Sequence, residues 1–372
     1  MNFALGYAGS ISGPIRNPYD PRRHANGSSG GTGAGIAADF ATVGIGEDTG
    51  GSIRGPAAAA ALVGHRPTVP LVSRYGVMPS RPSADTVGPI ARTGKDAAIV
   101  LDVIAGYDPS DPVTAYSVGR LTSPTVASLK PDALRGARFA LISQAMSPST
   151  DATSSDFSAV RTVLNQAVNA VRSQGAEVLT DINIPRLPDR LKEAADAGIY
   201  ETDAAIDGYL AWHPNAPFKT LRAILQTGHV LPWRARTLTV SVGRSVDEPE
   251  FGRLQRRAED TRIQLLALMA THKIDAFIYA SSDHSPGLVA ADVMTNPAEG
   301  DTRHGSNRAL APWVGFPATV VPAGFTPDGL PVGLEIMGRA FDDAKILAYA
   351  FAFEQATRHR QPPPATPRLQ AH

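Results

Sequence analysis

Two serines stand in unusual company. Ser28 lies in Gly27-Ser28-Ser29-Gly30-Gly31, and Ser52 closes Thr49-Gly50-Gly51-Ser52, with the apolar stretch Ile36-Ala37-Ala38-Asp39-Phe40-Ala41 between them. A serine hydroxyl is almost fully protonated at neutral pH. It attacks a carbonyl only when a neighbour takes its proton, and the oxyanion it creates needs donors. Glycines let main-chain N–H groups approach a reacting atom without side-chain clash. Flexible Gly/Ser linkers are solvated and lack apolar periodicity, so these two loops read as backbone brought close to a ligand.

Two shorter motifs compete for the same residues. Gly27 to Gly31 satisfies G-x-S-x-G, a nucleophile elbow that requires a strand immediately before it; Asn17 to Asn26 holds two prolines and no apolar run. Gly33-Ala34-Gly35-Ile36-Ala37-Ala38 matches G-x-G-x-x-A but has neither a preceding strand nor a ribose-binding acid at the expected distance. A phosphate-binding P-loop needs Gly-Lys-Ser/Thr, which is absent.

The elements that must position the serines follow from apolar periodicity. Helices are expected at Ala34–Ala41, Pro56–Val63 and Lys95–Ile104, the last with Thr93 as N-cap and Gly106 as its stop. Ala137–Ser143 reads as a strand, Phe157–Gln174 as an amphipathic helix closed by Gly175, and Ala176–Ile184 as a strand. From Pro188 the chain turns helical, with Leu191–Leu210, Leu221–Thr227 and Glu250–His272. Strands return at Ala276–Ala280, Ala318–Phe325 and Val332–Gly338, the last two flanking the turn Pro327-Asp328-Gly329. Asp342–Arg358 closes as a helix. Residues 281–306 read as a long loop, and 362–372 as a flexible tail. The alternation predicts an α/β fold, one domain over 1–372 with a helical insertion at 188–250.

Composition narrows the partners. The 372 residues carry 35 basic and 35 acidic side chains, so no electrostatic footprint for nucleic acid or an anionic membrane is expected. No apolar run approaches the length of a membrane span. With no cysteine, disulfides, thiol nucleophiles and thiolate metal ligands are excluded. The histidines form no ligand cluster, so no metal is implied; His284 and His304, in the long loop, read as surface or packing residues.

Taken together, Gly-Ser-Ser-Gly-Gly, an Ala-rich helix and Gly-x-Asp-Thr-Gly-Gly-Ser-Ile-Arg-x-Pro resemble the amidase signature family. "LVGHRPT", "ADTVGPIARTGKDAAIVLDVIAGYDPSDPVT" and "GFPATVVPAGFTPDGLPVGLEIMGRAFDDAKILAYAFAFEQAT" extend the resemblance over nearly the whole chain. It implies a mixed, twisted sheet covered by helices on both faces. It implies amide hydrolysis with Ser52 as nucleophile, Ser28 as proton relay after a non-proline cis peptide, and the amides of Thr49, Gly50, Gly51 and Ser52 as oxyanion hole. Asp48 and Arg54 are expected to brace the loop. No cofactor is implied. The expected partner is a small-molecule amide whose identity stays unknown, a homodimer is left open, and the cytoplasm is the expected compartment.

One departure stands out. The family's third catalytic residue is a lysine well before the first serine loop, and no residue before Ser28 is lysine. Lys95, Lys130, Lys192, Lys219, Lys273 and Lys345 align with no catalytic position. The expectation is an N-terminally incomplete copy, or a degenerate relative that hydrolyses amides poorly or only binds them. A third reading is the A subunit of a glutamyl-tRNA amidotransferase, which would demand a partner subunit.

Overall fold

The computed structural model describes residues 6–298, 304–364 and 366. Two short strands, β1 (Ala8–Gly9) and β2 (Gly13–Pro14), pair antiparallel ahead of helix α1 (Gly30–Ala37). There follow β3 (Val43–Glu47), α2 (Arg54–Ala59), β4 (Val63–Arg66), β5 (Val87–Ala91), α3 (Gly94–Ile104), β6 (Arg138–Leu141), α4 (Ser155–Ser173) and β7 (Glu177–Leu179). The helices α5 (Leu187–Trp212), α6 (Leu221–Gln226), α7 (Pro232–Thr239) and α8 (Pro249–Thr271) come next. The chain then runs through β8 (Ala276–Ala280), α9 (Leu310–Val314), β9 (Ala318–Phe325), β10 (Pro331–Met337) and α10 (Asp343–Thr357).

Eight strands form one sheet in the order β3-β5-β4-β9-β10-β8-β6-β7. β6 runs parallel to β7 and β8, and the other neighbours are antiparallel. Successive strand side chains point to opposite faces, and the core divides accordingly. Ala276, Ile278 and Ala280 of β8 join a layer with residues of α3, α4 and α10. Phe277 and Tyr279 of the same strand join residues of α5, α8 and α9 on the other face. The result is a mixed α/β sheet with helices on both faces.

Several boundaries follow the sequence. Thr93 caps α3 through its side chain, which accepts from the Asp96 N–H, and Gly175 after α4 takes φ 86°. β8 and β9 span the expected residues. Others need correction. α1 starts at Gly30 and ends at Ala37, so Gly33 lies inside the helix, where an added Cβ would meet Pro56 at 3.0 Å; this glycine serves helix packing. The second expected helix ends at Ala59, because Ala61 takes φ 49° and the Leu62 N–H returns to the Ala57 carbonyl at 2.9 Å. Val63 therefore opens β4.

Strands β3 and β5 were not expected, and their sequences explain why. Val-Gly-Ile-Gly-Glu alternates large residues with glycines because one face of β3 lies flush against other elements. A Cβ on Gly44 would sit 2.4 Å from Thr32 Cγ2, and one on Gly46 would sit 2.9 Å from Ile53 Cγ1. β5 contains Pro89, which pairs with Ile45 of β3 but lies beyond the stretch paired with β4, so its missing N–H costs no ladder bond on that side. No helix or strand interrupts 281–309 among the described residues, as the long loop predicts. The expectation of a tail over 362–372 falls largely outside the described residues.

Candidate active site

The two glycine-serine loops meet at the N-terminal ends of α1 and α2. The Gly27–Ser28 peptide is cis, and an added Cβ on Gly27 would lie 1.5 Å from the Gly6 carbonyl oxygen, so only glycine fits there. The Ser29 N–H donates to the Ser52 carbonyl at 3.3 Å and joins the loops directly. Ser29 Oγ accepts the Glu47 N–H at 3.2 Å, tying the first loop to β3. Ser28 and Ser52 are both half-buried. Among the described residues, no hydrogen bond links their hydroxyls.

Asp48 shapes the turn that ends in Ser52. Its Oδ1 accepts the Gly51 N–H at 2.8 Å and its Oδ2 accepts the Ile53 N–H at 3.1 Å. Gly51 takes φ 117°, and a Cβ there would lie 2.5 Å from Arg308 Cβ. The Gly51 N–H is thus given to a carboxylate and is not free for a ligand oxygen. The N–H groups of Thr49, Gly50 and Ser52 donate to no such partner: among the described residues none has an acceptor.

Behind the turn lies a buried ion network. Arg54 Nε bonds Asp48 Oδ2 at 3.2 Å and Arg54 Nη1 bonds Glu335 Oε2 at 2.5 Å. Arg66 Nη1 reaches Asp48 Oδ1 at 3.0 Å. Glu335 Oε1 accepts from Ser281 Oγ at 2.8 Å. Burial alone would raise the Asp48 carboxyl, but the guanidiniums of Arg54 and Arg66 hold it well below the usual carboxylate range. Two arginines against two carboxylates leave the network neutral, as buried charge requires.

The expected brace, Asp48 with Arg54, is therefore present, and it enlists three residues that the sequence reading missed: Glu335, Arg66, and Arg308 through its carbonyl, which accepts from Arg54 Nη2 at 2.8 Å. Glu335 had a signal: it is a lone acid between Leu334 and Ile336 in an apolar strand, where burial demands a cation. Arg66 and Arg308 had none, since their partners are distant in sequence. The histidine His284 serves α4, with Nδ1 on Asp156 Oδ2 at 3.2 Å and its ring stacked on His304 at 4.5 Å. The lysines are elsewhere. Lys95, Lys130, Lys192, Lys219 and Lys273 are exposed, and Lys345 pairs with Asp275 at 2.6 Å.

A cleft of about 330 Å³ is lined by Arg74, Tyr75, Pro82, Asp85, Tyr209 and Trp212. Asp85 accepts the Thr49 hydroxyl at 2.6 Å, which puts the cleft one side chain from Thr49. Arg74 is paired with Asp111 at 3.2 Å, and Tyr75 meets Trp212 edge-on at 4.6 Å.

The family model for Amidase matches residues 2–347. The chain belongs to the amidase signature family. The A subunit of glutamyl-tRNA(Gln) amidotransferase from Thermosynechococcus vestitus is 30% identical over 382 residues, covering 97% of this chain and 74% of that protein. The solved structure of native peptide amidase from Stenotrophomonas maltophilia aligns with a TM-score of 0.83 at 31% identity, over 96% of this chain and 71% of that one. That of the amidotransferase A subunit from Thermotoga maritima aligns with a TM-score of 0.71 at 27% identity, over 95% and 71%. Its enzyme class is thus that of a hydrolase acting on amide C–N bonds. No helix among the described residues of this amidase is long and apolar enough to cross a membrane.

Proposed function

We propose that this chain hydrolyses a small carboxamide through a Ser52 acyl-enzyme. The observation that carries the reading is the turn around Ser52, where Asp48 fixes the chain and leaves the N–H groups of Thr49, Gly50 and Ser52 without acceptors. Gly50 is exposed and Thr49 and Ser52 are half-buried, so these donors stand open to a ligand, and a tetrahedral oxyanion is the acceptor that an acyl-transfer site supplies. Gly51 contributes its left-handed backbone rather than its N–H.

In this reading Ser52 Oγ attacks the amide carbon and gives its proton to Ser28 Oγ, which passes its own proton to the departing nitrogen. The carbonyl electrons move to oxygen, then return as the C–N bond breaks and the nitrogen leaves protonated as ammonia or an amine. Water repeats the attack on the ester and restores Ser52. None of the six lysines is placed to take the proton from Ser28.

The higher TM-score to peptide amidase than to the amidotransferase subunit supports a hydrolase that works on a free amide. The cleft adds a substrate preference. Its one cation is already paired and its aromatic side chains are half-exposed, so it suits an amide with an apolar or aromatic group. The test is ammonia release from amides ranging from acetamide to arylalkyl amides, for wild type and Ser52→Ala. Release by wild type alone, greater for aryl amides, is the expected result. Equal release by Ser52→Ala removes the nucleophile assignment.

A further inference from the structure

We infer that Glu47 and Asp85 share a single proton through the Thr49 hydroxyl, and that this clamp positions the turn from Thr49 to Ser52 for catalysis only while Glu47 is a carboxylic acid. The positioning role rests on the proposed oxyanion turn. The shared proton does not.

The geometry counts the protons. Thr49 Oγ1 lies 2.8 Å from Glu47 Oε1 and 2.6 Å from Asp85 Oδ1. A hydroxyl has one hydrogen to give. With both acids ionised, one contact would set two oxygen lone pairs against each other and bring two negative charges to one small group. One carboxyl must therefore donate. Asp85 Oδ2 already accepts the N–H groups of Ser80 at 2.7 Å and Arg81 at 2.9 Å, an environment built for an acceptor. Among the described residues, the Glu47 carboxyl has the Thr49 hydroxyl alone. Glu47 is the acid: it donates to Thr49, and Thr49 donates to Asp85.

The surrounding charges agree. Burial raises the Glu47 carboxyl well above its ordinary value, Asp85 and the adjoining Asp48 raise it further, and the Thr49 bond and Arg66 of β4 oppose them. Arg81, on the loop before β5, gives its guanidinium to the Ala194 carbonyl at 2.6 Å. Glu201 of α5 accepts Ser83 Oγ at 2.6 Å, and Arg74, which lines the cleft with Asp85, is held by Asp111 at 3.2 Å. Among the described residues no cation pairs with Glu47. When Glu47 loses its proton, Thr49 can hold only one of the two carboxylates, and the residue that opens the turn is released.

The test compares wild type with Glu47→Gln, whose amide N–H donates to Thr49 at every pH. Melting temperatures are measured from pH 5 to 9, and kcat is measured over the same range with an amide substrate. Because the folded chain holds the Glu47 proton more tightly than the unfolded chain, wild type should lose stability against Glu47→Gln as pH rises. Parallel melting profiles would overturn the shared proton. The alkaline fall in wild-type kcat should be lost in Glu47→Gln, and an alkaline limb unchanged in the variant would overturn the positioning role. If neither protein releases ammonia from any amide, the amidase reading and the positioning role fail together, and the melting profiles still decide the proton.

Discussion

At the scale of single residues, the proposed site makes sharp demands on a few atoms. Ser52→Ala should abolish the acyl-enzyme, read by mass spectrometry after quenching a reaction with an activated ester or amide. Ser28→Ala should keep some acylation and lower kcat by roughly 10²–10⁴-fold, the usual worth of lost proton transfer; an unchanged kcat would remove Ser28 from the relay. Gly51→Ala meets two obstacles at once, φ of 117° and Arg308 Cβ at 2.5 Å, so it should destabilise by more than about 1 kcal/mol in chemical denaturation. Asp48→Asn strips a buried carboxylate from two guanidiniums, a change expected to cost about 3–5 kcal/mol. Asp48 was legible because its chemistry is local, an acid three residues before the N–H it receives, whereas the serines were marked by their glycine-rich loops and took their expected roles from the family resemblance. Glu47 was passed over because its meaning lies in Asp85, which only the pairing of β3 with β5 brings beside it. Nothing in its own neighbourhood distinguishes an acid that holds a proton from one that faces water.

At the scale of elements, sequence periodicity located the long helices and the strands of β8 to β10, since a face of apolar side chains is visible without knowing its partner. It failed at β3, β4 and β5, where the pattern is set by neighbours. Glycines in β3 make room for α1 and α2, and Pro89 in β5 sits where no donor is required. The interior of the α3–α10 pair offers a pH test. Glu354 of α10 accepts the Gly94 N–H at the start of α3 at 2.7 Å. Burial pushes its carboxyl from 4.5 up to about 7, against the pull of that bond. A carboxyl raised on folding contributes stability that is complete below about pH 4.5 and fades as pH rises through about 7. Glu354→Gln, which keeps an acceptor for Gly94, should therefore gain melting temperature over wild type at pH 8 and gain little at pH 4.5. A constant offset across that range would show that the group does not titrate on folding.

At the scale of the whole molecule, the sheet ends in two unlike edges. β7 is three residues long and opens on the exposed Glu177, a short and charged edge of the kind that discourages further pairing. β3 is five residues long and has β5 on one side only, with no strand beyond it among the described residues. Its glycine face is closed by α1 and α2, while Val43 and Ile45 on the opposite face are 37% and 43% exposed, and Phe40 just before them is 84% exposed. Ser29 Oγ and Thr32 Oγ1 already hold the Glu47 N–H and the Ile45 carbonyl of that edge, so what β3 offers another chain is its exposed apolar side chains beside the remaining short edge at Val43. The isolated chain should therefore self-associate through β3 as concentration rises. Ile45→Lys places a charge on that edge and should lower the association measured by light scattering. Val103→Lys on α3 makes the comparison, because Val103 is 79% exposed but lies on a helix. If association is strand pairing, the β3 substitution should reduce it and the helix substitution should not. Equal effects would mean that general apolar exposure drives it and that the edge has no special part.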